Sequence, residues 1–122
     1  MAELLCEFTV HGDPKPKGRP RMGKYGAYTP RATQDAERAV IDAFELACPL
    51  WEPSIERLRV EADFYRKGLR KVDTDNCGKL LLDALNGVLY VDDEQVDEQE
   101  FKRRYQAGDE ARTVVRVWIL ED

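Results

Sequence analysis

The chain has 122 residues, 43% apolar and 35% charged, with a net charge of −5, which suits one domain over residues 1–122 with one modest core. No apolar run approaches the ~18–20 residues that cross a bilayer, and the start of the chain lacks the basic and long apolar regions of a signal peptide. The three cysteines, Cys6, Cys48 and Cys77, have no metal-ligand spacing and read as free thiols in a reducing cytoplasm.

Leu4, Cys6, Phe8 and Val10 alternate with more polar neighbours, predicting a strand over residues 3–11. Residues 12–29 form a loop rich in Gly, Pro and basic side chains. Thr29-Pro30 reads as an N-cap followed by proline at the first helical position. Apolar residues recur at helical spacing from Ala36 to Ala47, and Pro49 stops them, giving a helix over about residues 30–48. Leu58, Val60, Ala62 and Phe64 alternate with Arg57, Arg59, Glu61 and Asp63, as in a strand with one wet face. A basic turn at 66–72 leads to a second helix over about 75–86, whose apolar side is Leu81, Leu82, Ala84 and Leu85. Asn86-Gly87 supplies a left-handed C-cap. Residues 95–105 read as an exposed strand, and the continuous apolar run 113–120 as a central one. The order β-α-β-α-β-β predicts an α+β domain with helices packed on a mixed sheet.

The charge is unevenly spread. Residues 14–31 carry Lys15, Lys17, Arg19, Arg21, Lys24 and Arg31 with no acid, +6 in 18 residues, which leaves −11 on the rest. Arg66, Lys67, Arg70 and Lys71 form a second cluster just before Asp73. Such clusters often only solubilise loops, but a local positive field also captures a polyanion against an unfavourable total charge.

The most chemically informative stretch is Asp73-x-Asp75-Asn76, with Lys79 and Asp83 following and Asp92-Asp93 returning on the next element. In extended backbone Asp73 and Asp75 point to one side, and Asp75 is also a candidate helix cap. Asp75, Lys79 and Asp83 then lie close to one helix face, near a helix N-terminus that favours an anion. Oxygen-only ligands suit Mg²⁺ or Mn²⁺. The single histidine, His11, excludes a multi-histidine metal site. A calcium-binding EF-hand loop fails at Cys77 and Ala84, where oxygen ligands are required. A phosphate loop at Gly18-x-x-x-x-Gly23-Lys24 ends in Tyr25 and is broken by Pro20, so no nucleotide cofactor is expected. A helix start or a solvated turn would account for either acidic segment alone. Lys79 and the flanking basic clusters tip the combination towards a cation beside a phosphate.

At these residues the chain resembles the RusA family of Holliday-junction resolvases of bacteria and their prophages. The likeness is carried by Asp73-x-Asp75-Asn76-x-x-Lys79-x-x-x-Asp83-Ala84-Leu85-Asn86-Gly87, by Asp92-Asp93-x-Gln95-Val96, and upstream by Pro14-Lys15-Pro16-Lys17-Gly18-Arg19-Pro20-Arg21 and Tyr28-Thr29-Pro30. The resemblance implies that Asp73, Asp75 and Asp93 bind metal and catalyse, that Lys79 is the essential lysine, and that Asp92 is a neighbour of the third carboxylate. It implies a cytoplasmic, nucleoid-associated homodimer that nicks four-way DNA junctions in pairs during recombination and repair, using Mg²⁺ with Mn²⁺ as a substitute. A non-cleaving junction-binding protein and a less selective branched-DNA endonuclease are the alternatives. Lys79 would stabilise charge on the phosphoryl oxygens, an effect of about 3–4 kcal/mol for one positioned donor, against about 0.2–0.5 kcal/mol for a helix ion pair with Asp75 or Asp83. Lys15, Lys17, Arg19, Arg21, Lys24, Arg31, Arg70 and Lys71 are the expected DNA contacts. Tyr25 and Tyr28 either stack on unpaired bases or pack the loop. Strand 95–105 and helix 30–48 are the candidate dimer surfaces.

Overall fold

The structure, a computed structural model, describes residues 2–121. In chain order its elements are β1 (Ala2–His11), a hairpin of β2 (Arg21–Gly23) and β3 (Gly26–Tyr28), α1 (Arg31–Ala47), β4 (Leu58–Tyr65), α2 (Thr74–Leu85), β5 (Val96–Arg104) and β6 (Arg112–Leu120). The main sheet has the order β1-β6-β4-β5. Strand β6 is antiparallel to both neighbours, whereas β4 and β5 are parallel. The apolar run therefore sits in the centre, and the polar β5 takes an edge where one row of backbone groups meets water. A parallel pair needs a crossover, and α2 provides it. The predicted mixed α+β arrangement holds.

Both helices cover one face of the sheet. Helix α1 lies over β1 and against α2, and α2 lies over β4 and β5. Leu58, Val60 and Phe64 of β4 and Val115 and Val117 of β6 meet Val40 and Phe44 of α1 and Leu81 and Leu85 of α2. Phe44 is edge-on to Phe8 and Trp51, each with ring centroids 5.5 Å away. The Trp51 indole N–H donates to the Leu89 carbonyl at 3.0 Å, so the segment after α1 is tied to the end of α2.

The opposite face is wet and carries an ion-pair ladder. Asp63 lies between Arg116 at 2.9 Å and Arg104 at 3.3 Å. Arg59 pairs with Glu61, Glu98 and Glu100, and Lys102 with Glu100. The cations named on this face are already paired within the chain, so it offers little free charge to a polyanion.

Three local expectations need correction. Thr29 does not cap α1. The helix opens at Arg31, and Pro30 stands just outside it in extended conformation, its carbonyl accepting from the Thr33 and Gln34 N–H groups at 3.1 Å each. The loop 12–29 is also not uniformly irregular, because β2 and β3 pair within it. Gly26 takes a φ of +110° after the Lys24-Tyr25 turn, a conformation that favours glycine in a tight hairpin. Gly87 is left-handed at φ +78°, but Asn86, which ends α2, is extended, and the Gly87 N–H donates to the Tyr90 carbonyl at 2.8 Å, so the glycine turns the chain after the helix and does not cap it as expected.

Candidate active site

Helix α2 builds one wall of the site. It begins at Thr74, one residue earlier than its sequence pattern indicates, and Asp73 is its cap. The Asp73 carboxylate accepts from the Asp75 N–H at 2.9 Å and from the Asn76 side-chain amide at 3.4 Å. Capping therefore falls to Asp73, not Asp75. Asp75 is already in the first turn, where its charge suits the positive end of the helix. A helix turns about 100° per residue, so Asp73 and Asp75 do not share one side as they would in a strand.

They serve two hollows. Asp75, Lys79 and Asp83 line a cleft of about 250 Å³, together with Leu82, Gln99, Phe101 and Asp93. Three positions at four-residue spacing run about 12 Å along the helix. Phe101 of β5 packs on the middle of α2, since a Cβ on Gly78 would stand 2.3 Å from its ring. Asp93 stands toward the other end, where Asp83 contributes to its field. Lys79 makes no ion pair with any described residue, which leaves its ammonium to the cleft. Asp73 lines a groove of about 560 Å³ with Lys15, Arg66, Arg70, Lys71 and Asn76. The basic groove and the carboxylate cleft thus share the first turn of α2.

A short 3-10 turn, Asp93–Gln95, seats the third acid. Asp92 caps it by accepting from the Glu94 N–H at 3.1 Å, and the Gln95 side chain accepts from the Asp92 N–H at 3.0 Å. The Gln95 amide also donates to the Ser54 and Glu56 carbonyls, at 2.8 and 2.9 Å, pinning the turn to the segment before β4. Asp92 is spent on the cap while Asp93 lines the cleft. Desolvation, a hydrogen bond with Asp92 and the charges of Asp92, Asp83 and Glu94 raise the Asp93 carboxyl above its ordinary range.

The basic residues divide into two groups. Lys15, Arg19, Arg21, Lys24, Arg70 and Lys71 are exposed. Tyr25, at the hairpin tip, is 95% exposed, and the Lys24 ammonium lies 5.7 Å from its ring centroid. Arg31 is exposed but held by Asp35 at 3.1 Å. Lys17 turns inward to Asp83 at 2.8 Å and Glu37 at 3.4 Å, and the Asp83 hydrogen bond is the main cause of its raised pKa. Arg66, buried, donates to the Pro14 carbonyl at 2.6 Å and lies 3.6 Å from Asp13. It fastens the start of the basic loop to the basic turn. Gln99 and Phe101 carry no local motif; among the residues that shape the cleft only Gly78, a glycine inside a helix, signals a close approach in sequence.

A third hollow, of about 410 Å³, lies between α1, α2 and the start of the loop. His11 stands there, away from the cleft. Cys77 also lines it, but burial pushes its thiol up to about 11, so it is not a nucleophile at neutral pH. The cleft has the better chemistry: all its anionic donors are oxygen, and Asp93 sits among like charges that a hard divalent cation would relieve. Among the described residues no three ligating side chains converge to cage an ion.

No helix among the described residues is long and apolar enough to cross a membrane. No curated protein matches the chain. The family model for endodeoxyribonuclease RusA matches residues 11–118, which take in the basic loop, α2 and the Asp93 turn, so the chain belongs to the RusA family of endodeoxyribonucleases.

Proposed function

We propose that the chain is a Mg²⁺-dependent endonuclease that resolves four-way DNA junctions by paired, symmetric nicks. The observation that carries this is that the cleft holding Asp75, Asp83, Asp93 and a Lys79 without an ion pair among the described residues meets the basic groove at the first turn of α2. Asp75 and Asp93 would hold one or two ions from the cleft, and Asp73 from the groove side of the same turn, with Mn²⁺ as a substitute. When bound, the metal supplies Lewis-acid polarisation of the scissile phosphate and a more acidic water. Lys79 donates to the phosphoryl oxygens as charge builds there. Lys15, Arg70 and Lys71 contact the phosphate backbone along the groove, and Arg19, Arg21 and Lys24 extend that path through the hairpin. Tyr25 stacks on bases unpaired at the crossover.

A two-fold symmetric junction calls for a two-fold symmetric enzyme, so two copies act together, each nicking one strand. The chain works as one unit over residues 1–122, in the cytoplasm, in DNA recombination and repair. The test is a synthetic four-way junction beside a linear duplex of the same sequence, each labelled strand by strand and incubated with Mg²⁺. Symmetric nicks in opposing strands of the junction, with the duplex largely intact, are expected. Equal cutting of both substrates would make it a general nuclease, and binding without cutting would make it a junction-binding protein.

A further inference from the structure

Lys17 belongs by sequence to the basic loop but is used differently from its neighbours. Its backbone N–H donates to the Asn76 carbonyl in the first turn of α2 at 2.9 Å. Its ammonium reaches Asp83, two turns further along the same helix, at 2.8 Å, and Glu37 of α1 at 3.4 Å. The next residue continues the attachment, since the Gly18 N–H donates to the buried Thr33 hydroxyl of α1 at 3.0 Å. A Cβ on Gly18 would fall 2.6 Å from that hydroxyl, so glycine is needed for the approach. One residue thus joins the loop to both ends of the helix that forms the cleft wall. It also balances the charge of Asp83, which lines the cleft on the side of Asp93.

We propose that Lys17 is a positioning residue that straps the basic loop to α2 and neutralises Asp83, so that Asp83 faces the cleft as half of an ion pair and not as a free metal ligand. The proposal rests on the cleft being the metal site. Lys17 is withdrawn from direct DNA contact by the same geometry. A charge held this close to the site acts on a divalent ion whether or not DNA is present.

The experiment is Mn²⁺ binding to the full chain without DNA, followed by the free-ion electron paramagnetic resonance signal, with thermal unfolding of each variant as a control. Lys17→Met should tighten Mn²⁺ binding about threefold, because Asp83 is released beside Asp93. Asp83→Asn should weaken it by about the same factor, because Lys17 is left unbalanced. The double variant should return to the wild-type affinity, and Lys17→Arg should keep it. If Lys17→Met does not fold, Lys17→Gln removes the charge while keeping a donor for Asp83. Weakening in both single variants, or no change in either, would show a purely structural contact and overturn the proposal. A double variant as weak as Asp83→Asn would make Asp83 a ligand in its own right and overturn it too. If wild type binds no Mn²⁺, the metal site itself fails before any variant is compared.

Discussion

Replacing Gly78 by alanine sets two effects of known sign against each other. In an exposed helix the change would stabilise by about 1 kcal/mol, because glycine is the poorer helix former. Here the new methyl would stand 2.3, 2.5 and 3.0 Å from three atoms of the Phe101 ring. The ring is itself backed by Phe64, with centroids 5.9 Å apart. Relief requires the ring to swing into the cleft or β5 to move off α2. Overpacking of this kind costs about 1–3 kcal/mol, and so short an approach belongs at the upper end. The net expectation for Gly78→Ala is a loss of about 1–2 kcal/mol. Urea unfolding followed by tryptophan fluorescence reads it directly, since Trp51 packs against the core. The same shift should lower nicking, because Phe101 lines the cleft opposite Asp75 and Lys79. Adding Phe101→Leu should recover part of the stability, as expected of coupled neighbours. A Gly78→Ala variant more stable than wild type would refute the packing argument.

Three further outcomes follow from the geometry. Asp63→Ala leaves Arg104 and Arg116 facing each other on the sheet; loss of a buried partner costs about 3–5 kcal/mol, which the part-exposed arginines reduce to about 2 kcal/mol, and an unchanged urea midpoint would contradict it. Asp92→Ala removes the cap of the turn that seats Asp93, so a loss of about 1 kcal/mol with slower nicking is expected, while unchanged stability and rate would leave the cap without consequence. Asp93 has its carboxyl pKa raised above the ordinary carboxylate value, so the folded chain binds more protons than the unfolded one just above that value, and Asp93 opposes folding at neutral pH. Asp93→Asn should therefore raise the metal-free urea midpoint at neutral pH, with the gain fading as pH falls through the folded pKa; a gain that is constant with pH would contradict the electrostatic cause.

Much of the scaffold is legible because it depends on local periodicity. The alternation in β1 and β4 marks one buried face each, and the apolar run 113–120 marks the strand between them. The polar stretch before Tyr105 reads as exposed because β5 is an edge strand. The short hairpin is not legible, since three-residue strands give too little alternation to separate them from a Gly-rich loop. The Asp73 cap shows how sensitive a site can be to one residue: starting α2 at Thr74 sends two neighbouring carboxylates into different hollows. Lys17 shows the other limit. Nothing local separates it from Lys15 or Arg19, because the partners that turn it inward lie 20 residues away at Glu37 and still further on at Asp83.

Carboxylates beside α2 are proposed to make a metal-dependent nicking site, and the adjoining basic groove to grip the DNA. The most direct measurement compares wild type with Asp75→Asn on a synthetic four-way junction, scoring binding by mobility shift and nicking in Mg²⁺. Asp75 lines the cleft and not the adjoining basic groove. The expected result is junction affinity close to wild type with nicking abolished. An Asp75→Asn protein that cuts as fast as wild type would contradict the assignment.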